Sequence, residues 1–290
     1  MSDAIKKYPF KDGLNHEFEI LDLSSILSVK NELMTVPHRA QFYHILWIEK
    51  GKGTHYVDFK PVDLEDNMII FVPNNCVNLF DKKGAYQGKV IIFTDSFFSK
   101  NNHDMLFLHS SILFSDWYDI VTIKLNSNPS ELHLCIDFME KEFKRSADAA
   151  QYYILHNMLY VFLLQAEREM RKQGFKEQKP SFHLDCVVLF KDLLEQNFKK
   201  DRSVKNYAAA LNISDKQLHK ATTTLLDKTP KQIIDERVIL EAKRLLVHSH
   251  QSIKEITFAL GYDEPTNFVK YFRKHTDLTP SEFRQKQLDH

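Results

Sequence analysis

Cysteine is scarce in this chain. Of 290 residues only Cys76, Cys135 and Cys186 are cysteine, far apart and without a C-x-x-C pair. That spacing argues against a disulfide framework and against a structural zinc site. Net charge is absent as well, with 39 Lys and Arg against 39 Asp and Glu. A balanced chain cannot hold a polyanion through bulk charge, so affinity for one must come from where the cations sit. The balance hides a small asymmetry: from residue 181 onward eighteen Lys and Arg face fifteen Asp and Glu, a surplus of three. No apolar run reaches membrane-spanning length, the longest being residues 159–164. The start, MSDAIKKYPF, lacks the apolar core of a signal peptide, so a cytoplasmic protein without a membrane partner is expected. No P-loop, dinucleotide fingerprint or nucleophile–base motif occurs. The expectation is therefore no enzyme, no catalytic residue and no cofactor.

What the chain does have is a repeat. Residues 203–230, SVKNYAAALNISDKQLHKATTTLLDKTP, say nearly what residues 252–280 say, SIKEITFALGYDEPTNFVKYFRKHTDLTP. Each copy opens on a Ser able to N-cap a helix. Apolar residues follow at helical spacing: Val204, Tyr207, Ala208 and Leu211, then Ile253, Ile256, Phe258 and Leu260. Each breaks at a residue that tolerates the left-handed conformation, Asn212 or Gly261. A second helix then carries Leu218 in one copy, and Phe268 and Phe272 in the other. Helix, tight turn, helix is the shape of a DNA reader. Between the copies, Thr229 and Pro230 start a linker helix over 230–247, with Ile233, Ile234, Val238, Leu245 and Leu246 along one stripe. At 1.5 Å per residue it is roughly 25 Å long, enough to set two readers about one DNA turn apart.

These residues carry a resemblance. Residues 184–287 resemble the DNA-binding domain of the AraC/XylS transcription regulators, most closely in IKEITFALGYDEPTNFVKYFRKHTDLTPSEFR over 253–284. The Gly-aromatic turn, the F-x-x-x-F spacing and the closing T-P-x-x-F-R all match. Thr257 stands where Ala is usual, Asp277 where Gly is usual and Lys270 where Arg is common. Asp277 must therefore tolerate a turn that Gly normally takes. The resemblance implies double-stranded promoter DNA as partner, a homodimer, an effector-responsive sensor, and contact with RNA polymerase.

Earlier in the chain, residues 18–124 look β-rich. Strands are expected at 42–48 and 54–59 with glycines 51 and 53 in a turn between them, and at 68–72, 77–80 and 90–94. The stretch resembles the cupin-type sensor barrel of the same family. Helices are expected from 128 and over 148–171, the second apolar on more than one side and so in need of cover. The expected division is a sensor barrel over 1–125, a helical packing or dimerisation segment over 126–172, a linker over 173–181 and the DNA-binding domain over 182–290. In the last, the helix-turn-helix motifs fall at 203–226 and 252–275. In fold-class terms this is a β-rich cupin-like barrel with a helical pair, followed by an all-α domain with two helix-turn-helix motifs and their linker helix.

The candidate DNA-contacting residues are Lys216, Gln217, His219 and Lys220 in the first copy, and Pro265, Thr266, Asn267, Lys270, Arg273 and Lys274 in the second. Lys meets guanine acceptors and neutralises phosphate, Gln and Asn suit adenine, and Thr suits the thymine methyl. The later part of the first reader, ATTTLL, is short of positive charge for a DNA face. Leu211, Leu218, Leu225, Ile256, Leu260, Phe268, Phe272 and Phe283 are expected as core. In the barrel, Phe42, Tyr43, Trp47, Tyr56, Phe59 and Phe71 would wall a small-molecule pocket, with no individual effector-binding residue assigned. His38, His44 and His55 with Glu49 do not meet the H-x-H pattern of metal cupins, and Asn74, Asn75 and Asn78 occupy the later ligand stretch. No metal is expected, and strand alternation places His44 on a solvent face. A metal-dependent cupin enzyme with an appended DNA-binding domain, and a constitutive ligand-free DNA-binding dimer, stand as the alternatives.

Overall fold

The computed structural model describes residues 7–10, 16–26, 34–81, 85–114, 119–125, 130–174 and 181–288. The start of the helix expected from 128 and residues 175–180 of the expected linker lie outside them. The described residues divide into two compact units, the first ending and the second beginning between Gly174 and Ser181.

In the first unit the strands are β1 (Lys7–Tyr8), β2 (Phe18–Asp22), β3 (His38–Ala40), β4 (Tyr43–Val57), β5 (Lys60–Leu64), β6 (Met68–Val72), β7 (Val77–Phe80), β8 (Ala85–Phe93) and β9 (Val121–Lys124). All nine are joined through β4. Its first half pairs with β6 and β8, its second half with β5 and β7. This overturns the turn expected between 48 and 54. Gly51 and Gly53 lie inside a continuous 15-residue strand, just past a register irregularity between Ile48 and Lys50. Gly51 adopts φ 128°, and a Cβ at Gly53 would overlap the Tyr86 hydroxyl. Glycine here marks a bend at which the strand passes from one sheet to the other, a role that local sequence does not distinguish from a turn. The true reversal comes at Asp58 and Phe59, with Asp58 at φ 55° and Val57 opposite Lys60.

Both faces of the β4–β6–β8 sheet are covered, which is why its strands read as unbroken apolar runs. Leu46, Ile48, Ile70, Val72, Val90 and Ile92 face inward and meet Val57, Leu64, Phe80 and Tyr86 from the other strands. Tyr43, Ile45, Trp47, Ile69, Phe71, Ile91 and Phe93 point outward under a helical layer. That layer includes α1 (Asp95–Phe98) and α2 (Asn102–Ser110), two helices that periodicity did not announce. Their N-caps, Thr94 and Asn101, accept from Phe97 N and Asp104 N. The layer is completed by α3 (Glu131–Phe143) and α4 (Gln151–Lys172), which bury Leu132, Ile136, Met139, Leu155, Leu159, Phe162 and Leu163. Each such side chain removed from water contributes about 1.5–3 kcal/mol before conformational entropy is counted. Phe138, on the outer side of α3, is 57% exposed. The second helix does have an outer face: Tyr153, Ile154, Val161 and Leu164 are exposed along it.

The second unit is helical: α5 (Phe182–Asn197), α6 (Val204–Ala210), α7 (Asp215–Leu226), α8 (Pro230–His248), α9 (Ile253–Ala259), α10 (Pro265–Thr276) and α11 (Pro280–Leu288). Phe190 and Leu194 of α5, with Phe198 capping its end, pack on Tyr207, Ala208, Leu218, Ile233, Ile234 and Val238. Arg237 fastens α5 to α8: it lies 3.9 Å over the Phe198 ring and pairs with Glu195 and Glu241. Farther along, Ile256, Leu260, Phe268 and Phe272 are fully buried, and Phe272 meets Phe283 edge-on at 5.6 Å. Arg284 donates to the carbonyls of Leu246 (2.8 Å) and Gln251 (2.7 Å), satisfying the chain at the end of α8.

Candidate nucleic-acid interface

The two copies of the repeat are superposable in their hydrogen bonds. In the first, Asn212 N donates to Ala209 O and Ile213 N to Ala208 O, both at 3.0 Å. In the second, Gly261 N donates to Phe258 O at 2.9 Å and Tyr262 N to Thr257 O at 3.1 Å. Asn212 (φ 56°) and Gly261 (φ 77°) both hold the left-handed turn. Each second helix also ends on a left-handed residue, Asp227 (φ 51°) and Asp277 (φ 61°). Asp277 thus takes the conformation for which glycine is the usual choice, a tolerance that its short polar side chain permits. Thr257, in an alanine position, is buried with its hydroxyl donating to Ile253 O at 2.8 Å.

Caps fix where each helix begins. Ser214 with Gln217, Thr229 with Gln232, and Ser252 with Glu255 form reciprocal capping boxes. Thr279 and Glu282 exchange the same pair of bonds. The two hydrogen bonds to Ser252 hold the Glu255 carboxyl below the usual carboxylate range. The box at Ser214 changes the reading of one candidate. The Gln217 side-chain oxygen accepts from Ser214 N at 2.9 Å and Ser214 Oγ at 2.8 Å, so this amide is engaged in holding the helix start.

On α7 the buried side is Leu218, Ala221 and Thr222, leaving Lys216, Gln217, His219 and Lys220 exposed. On α10 Phe268 and Phe272 are buried, Pro265 is half-buried at the first helical position, and Thr266, Asn267, Lys270, Arg273 and Lys274 are exposed. Each helix therefore turns one apolar stripe into the core and one polar face outward. Leu211 and Leu225, expected as core, are half-buried, and Phe258 is 50% exposed. Sequence reading passed over Lys205 and Lys254. Both are exposed in the first turn of the first helix of a copy, two residues after the capping Ser. Their recurrence at one repeat position was the available signal.

The interior of the first unit differs from the aromatic-walled pocket expected there. Tyr43, Trp47 and Phe71 belong to the outward, helix-covered side, Tyr56 is 39% exposed, and Phe59 is half-buried. Of that set only Phe42 packs with the inner cluster. Since both sheet faces are apolar, alternation alone could not say which set faced in. The polar groups inside are histidines. His38, His44 and His55 are all buried, which corrects the solvent placement of His44. His44 sits opposite Val72 and Ile92 in the inward-facing register. His55 Nε2 lies 3.1 Å from the Asn78 side-chain oxygen, and His38 Nδ1 lies 3.0 Å from Val36 O. Nδ1 of His44 and of His55 is buried without a hydrogen-bond partner among the described residues. Burial, reinforced by the neighbouring imidazoles of His38 and His55, pushes the His44 pKa down to about 3. Burial pushes His55 down to about 4, against the opposing hydrogen bond from Asn78. Both rings are therefore neutral near pH 7. Among the described residues no group of three or more His, Cys, Asp and Glu is arranged to hold a metal ion. No helix there is long and apolar enough to cross a membrane.

A β-rich unit with a helical layer, followed by two matched helix-turn-helix motifs on a common helix, defines the class of DNA-binding transcription regulators with a separate sensor. Comparison with known proteins agrees. A family model described as a helix-turn-helix domain matches residues 207–286, and one described as an AraC-like ligand binding domain matches residues 31–151. The HTH-type transcriptional activator RhaS of Pectobacterium carotovorum subsp. carotovorum is 21% identical over 258 residues, covering 86% of this chain and 87% of its own. The lactose operon transcription activator of Staphylococcus xylosus is 31% identical over 93 residues, 32% of this chain and 33% of its own. The solved structure of ToxT from Vibrio cholerae covers 93% of this chain and 94% of its own at 14% identity, with a TM-score of 0.45. The chain belongs to the AraC/XylS family of transcription regulators.

Proposed function

We propose that α7 and α10 enter successive major grooves and read two short DNA boxes about one helical turn apart. The observation that carries this reading is the pair of capped helices at equivalent repeat positions, each with an exposed polar face. Lys216, Lys220, Lys270 and Lys274 make no ion pair on those faces among the described residues. Elsewhere in the unit, Lys228, Lys231 and Arg237 are paired with acids. Unpaired ammonium groups are available to phosphate and to guanine acceptors. Asn267 suits adenine and Thr266 the thymine methyl. Arg273 and Lys274 suit phosphate, with Lys205 and Lys254 on the backbone beside each box. Pro265 sets the start of the second reader, His219 flanks the first, and Gln217 serves mainly as cap.

In this reading the first unit senses a small, largely apolar molecule carrying one hydrogen-bonding group. The neutral imidazoles of His44 and His55 supply the free Nδ1 positions for it, and the aliphatic inner wall supplies the rest. Two chains pair through the exposed stripe of Tyr153, Ile154, Val161 and Leu164 on α4, which would otherwise stay in water. Two relatives are named activators, which supports a contact with RNA polymerase. The protein works in the cytoplasm without catalysis.

The test is capture of sheared source-genome DNA by the purified protein, followed by sequencing. The expected result is a few promoter fragments sharing two boxes one turn apart. Uniform, salt-sensitive capture, with and without small molecules that shift the melting temperature, would overturn it.

A further inference from the structure

The two copies share a backbone, so positions where they differ and where the second copy touches the first show what joins them. Two such positions stand out. Where the first copy has Ile213 in its turn, the second has Tyr262; where the first reader has Ala221, the second has Tyr271. Neither aromatic is needed to build the motif, since the first copy folds into the same hydrogen-bonded turn without them. Both instead pack on the core of the first motif, the cluster that holds Phe198, Tyr207, Leu218 and Ile234.

Their contacts are specific. The Arg202 guanidinium, in the segment leading into α6, lies 3.7 Å over the Tyr262 ring and donates to Leu260 O. Beside it the Gly261 turn is so close to the Lys199 carbonyl that a Cβ there would overlap it. The Tyr262 and Tyr271 rings lie 5.5 Å apart. Tyr271 Oη donates to Asp235 Oδ1 at 2.8 Å, on α8 one turn after its start. Asp235 also takes Lys231 at 2.7 Å and faces His275 of the second reader at 3.4 Å. The second reader is therefore held at two places besides its covalent connection through α8.

We propose that Tyr262 and Tyr271, seated on Arg202 and Asp235, are positioning residues that lock the two readers into one rigid body and so set which box spacing the protein accepts. A 19-residue helix about 28 Å long can flex and roll at its ends. A strap across its side removes that freedom, so engaging the second box carries little further entropic cost at one spacing and fails at others. This inference rests on the DNA-reading proposal and adds its spacing rule.

The experiment uses the full chain and a promoter fragment recovered by the genomic capture, with the two boxes at native spacing, with two base pairs inserted, and with one box scrambled. Two base pairs turn the second box by roughly 70° about the DNA axis. The wild type is expected to lose about tenfold or more in affinity on insertion. Tyr262→Ile with Tyr271→Ala, which writes the first copy's residues into the second, should shrink that penalty to about threefold or less. Affinity for the single-box fragment should be unchanged. Tyr271→Phe keeps the ring and removes only the bond to Asp235, so it should fall between the two and guards against a folding defect in the double variant. A purely structural role would lower binding to all three fragments alike and leave the insertion penalty intact; that result overturns the inference. A wild type that binds the fragment selectively but ignores the insertion overturns it too. A wild type without selective binding to any fragment overturns the DNA-reading proposal itself.

Discussion

Compared position by position, the two readers divide one task unequally. The first carries its polar groups early: Lys216, His219 and Lys220, then a run of threonines in which Thr222 and Thr223 turn their hydroxyls back onto His219 O. The second begins with Pro265, Thr266 and Asn267 and carries its cations late, at Lys270, Arg273 and Lys274. A helix in the major groove presents its N-terminal residues to base edges and its later residues to the flanking backbone. On the proposed DNA-reading geometry the first reader's charge would lie near the bases, while the second would offer uncharged hydrogen-bonding groups to the bases and cations to the phosphates. A repeat that keeps its backbone can still assign different recognition chemistry to each copy.

The sharpest way to break the equivalence is at the two turns. Gly261→Ala combines a positive φ with overlap on the Lys199 carbonyl and should cost roughly 3 kcal/mol or more of unfolding free energy. Asn212→Ala, at the same turn of the first copy, should cost about 1 kcal/mol, since only the left-handed conformation is penalised. Denaturant unfolding of both variants checks the difference, and equal losses would show that the Lys199 contact does not hold the second copy in place.

A second comparison sets the β-rich unit against its surroundings in acid. His44 and His55 titrate near 3 and 4 when folded, against an unfolded value of about 6.5. The unfolded chain therefore takes up protons first. Stability is full above about pH 6.5 and falls as the pH drops toward the folded values, by about 1.4 kcal/mol per pH unit for each ring. His44→Gln should flatten that slope in melts between pH 7 and pH 5; an unchanged slope would place the acid sensitivity elsewhere.

The smallest effect sharpens the contrast between readers. Lys270→Ala should weaken binding to all sequences by about 1 kcal/mol and reduce the salt slope by about 0.9, the signature of one lost phosphate contact. Lys216→Ala should instead relax selectivity at one base pair of the first box with a cost of about 1–3 kcal/mol. Competition titrations at several salt concentrations distinguish the two outcomes.

The helical unit was legible because its signals are local. Ser and Thr caps, Thr-Pro starts, and left-handed residues at Asn212 and Gly261 act within one turn of helix and need no distant partner. The capping role of Gln217 could also have been read from its place three residues after Ser214. The β-rich unit was harder for a physical reason. Its main sheet is covered on both sides, so Tyr43 and Trp47 are as apolar as Leu46 and Ile48, and the inward set carries no mark of its own. Gly51 and Gly53 misled in the same way, because the bend they serve is defined by strands far along the chain. His44 looked solvent-facing only because its burial depends on the second sheet closing over it. Tyr262 and Tyr271 were hidden differently: each fits a helix-turn-helix core, and only their neighbours Arg202 and Asp235 show that they reach across to the first copy.

The single strand shared by both sheets has a consequence for how the β-rich unit comes apart. Because β4 is hydrogen-bonded to four partners, neither sheet can peel away without unzipping a strand that the other still needs. In hydrogen exchange, amides along both halves of β4 should open at a common free energy, as one cooperative block. A signal arriving at either end of that strand would then be felt at the other without a hinge between them.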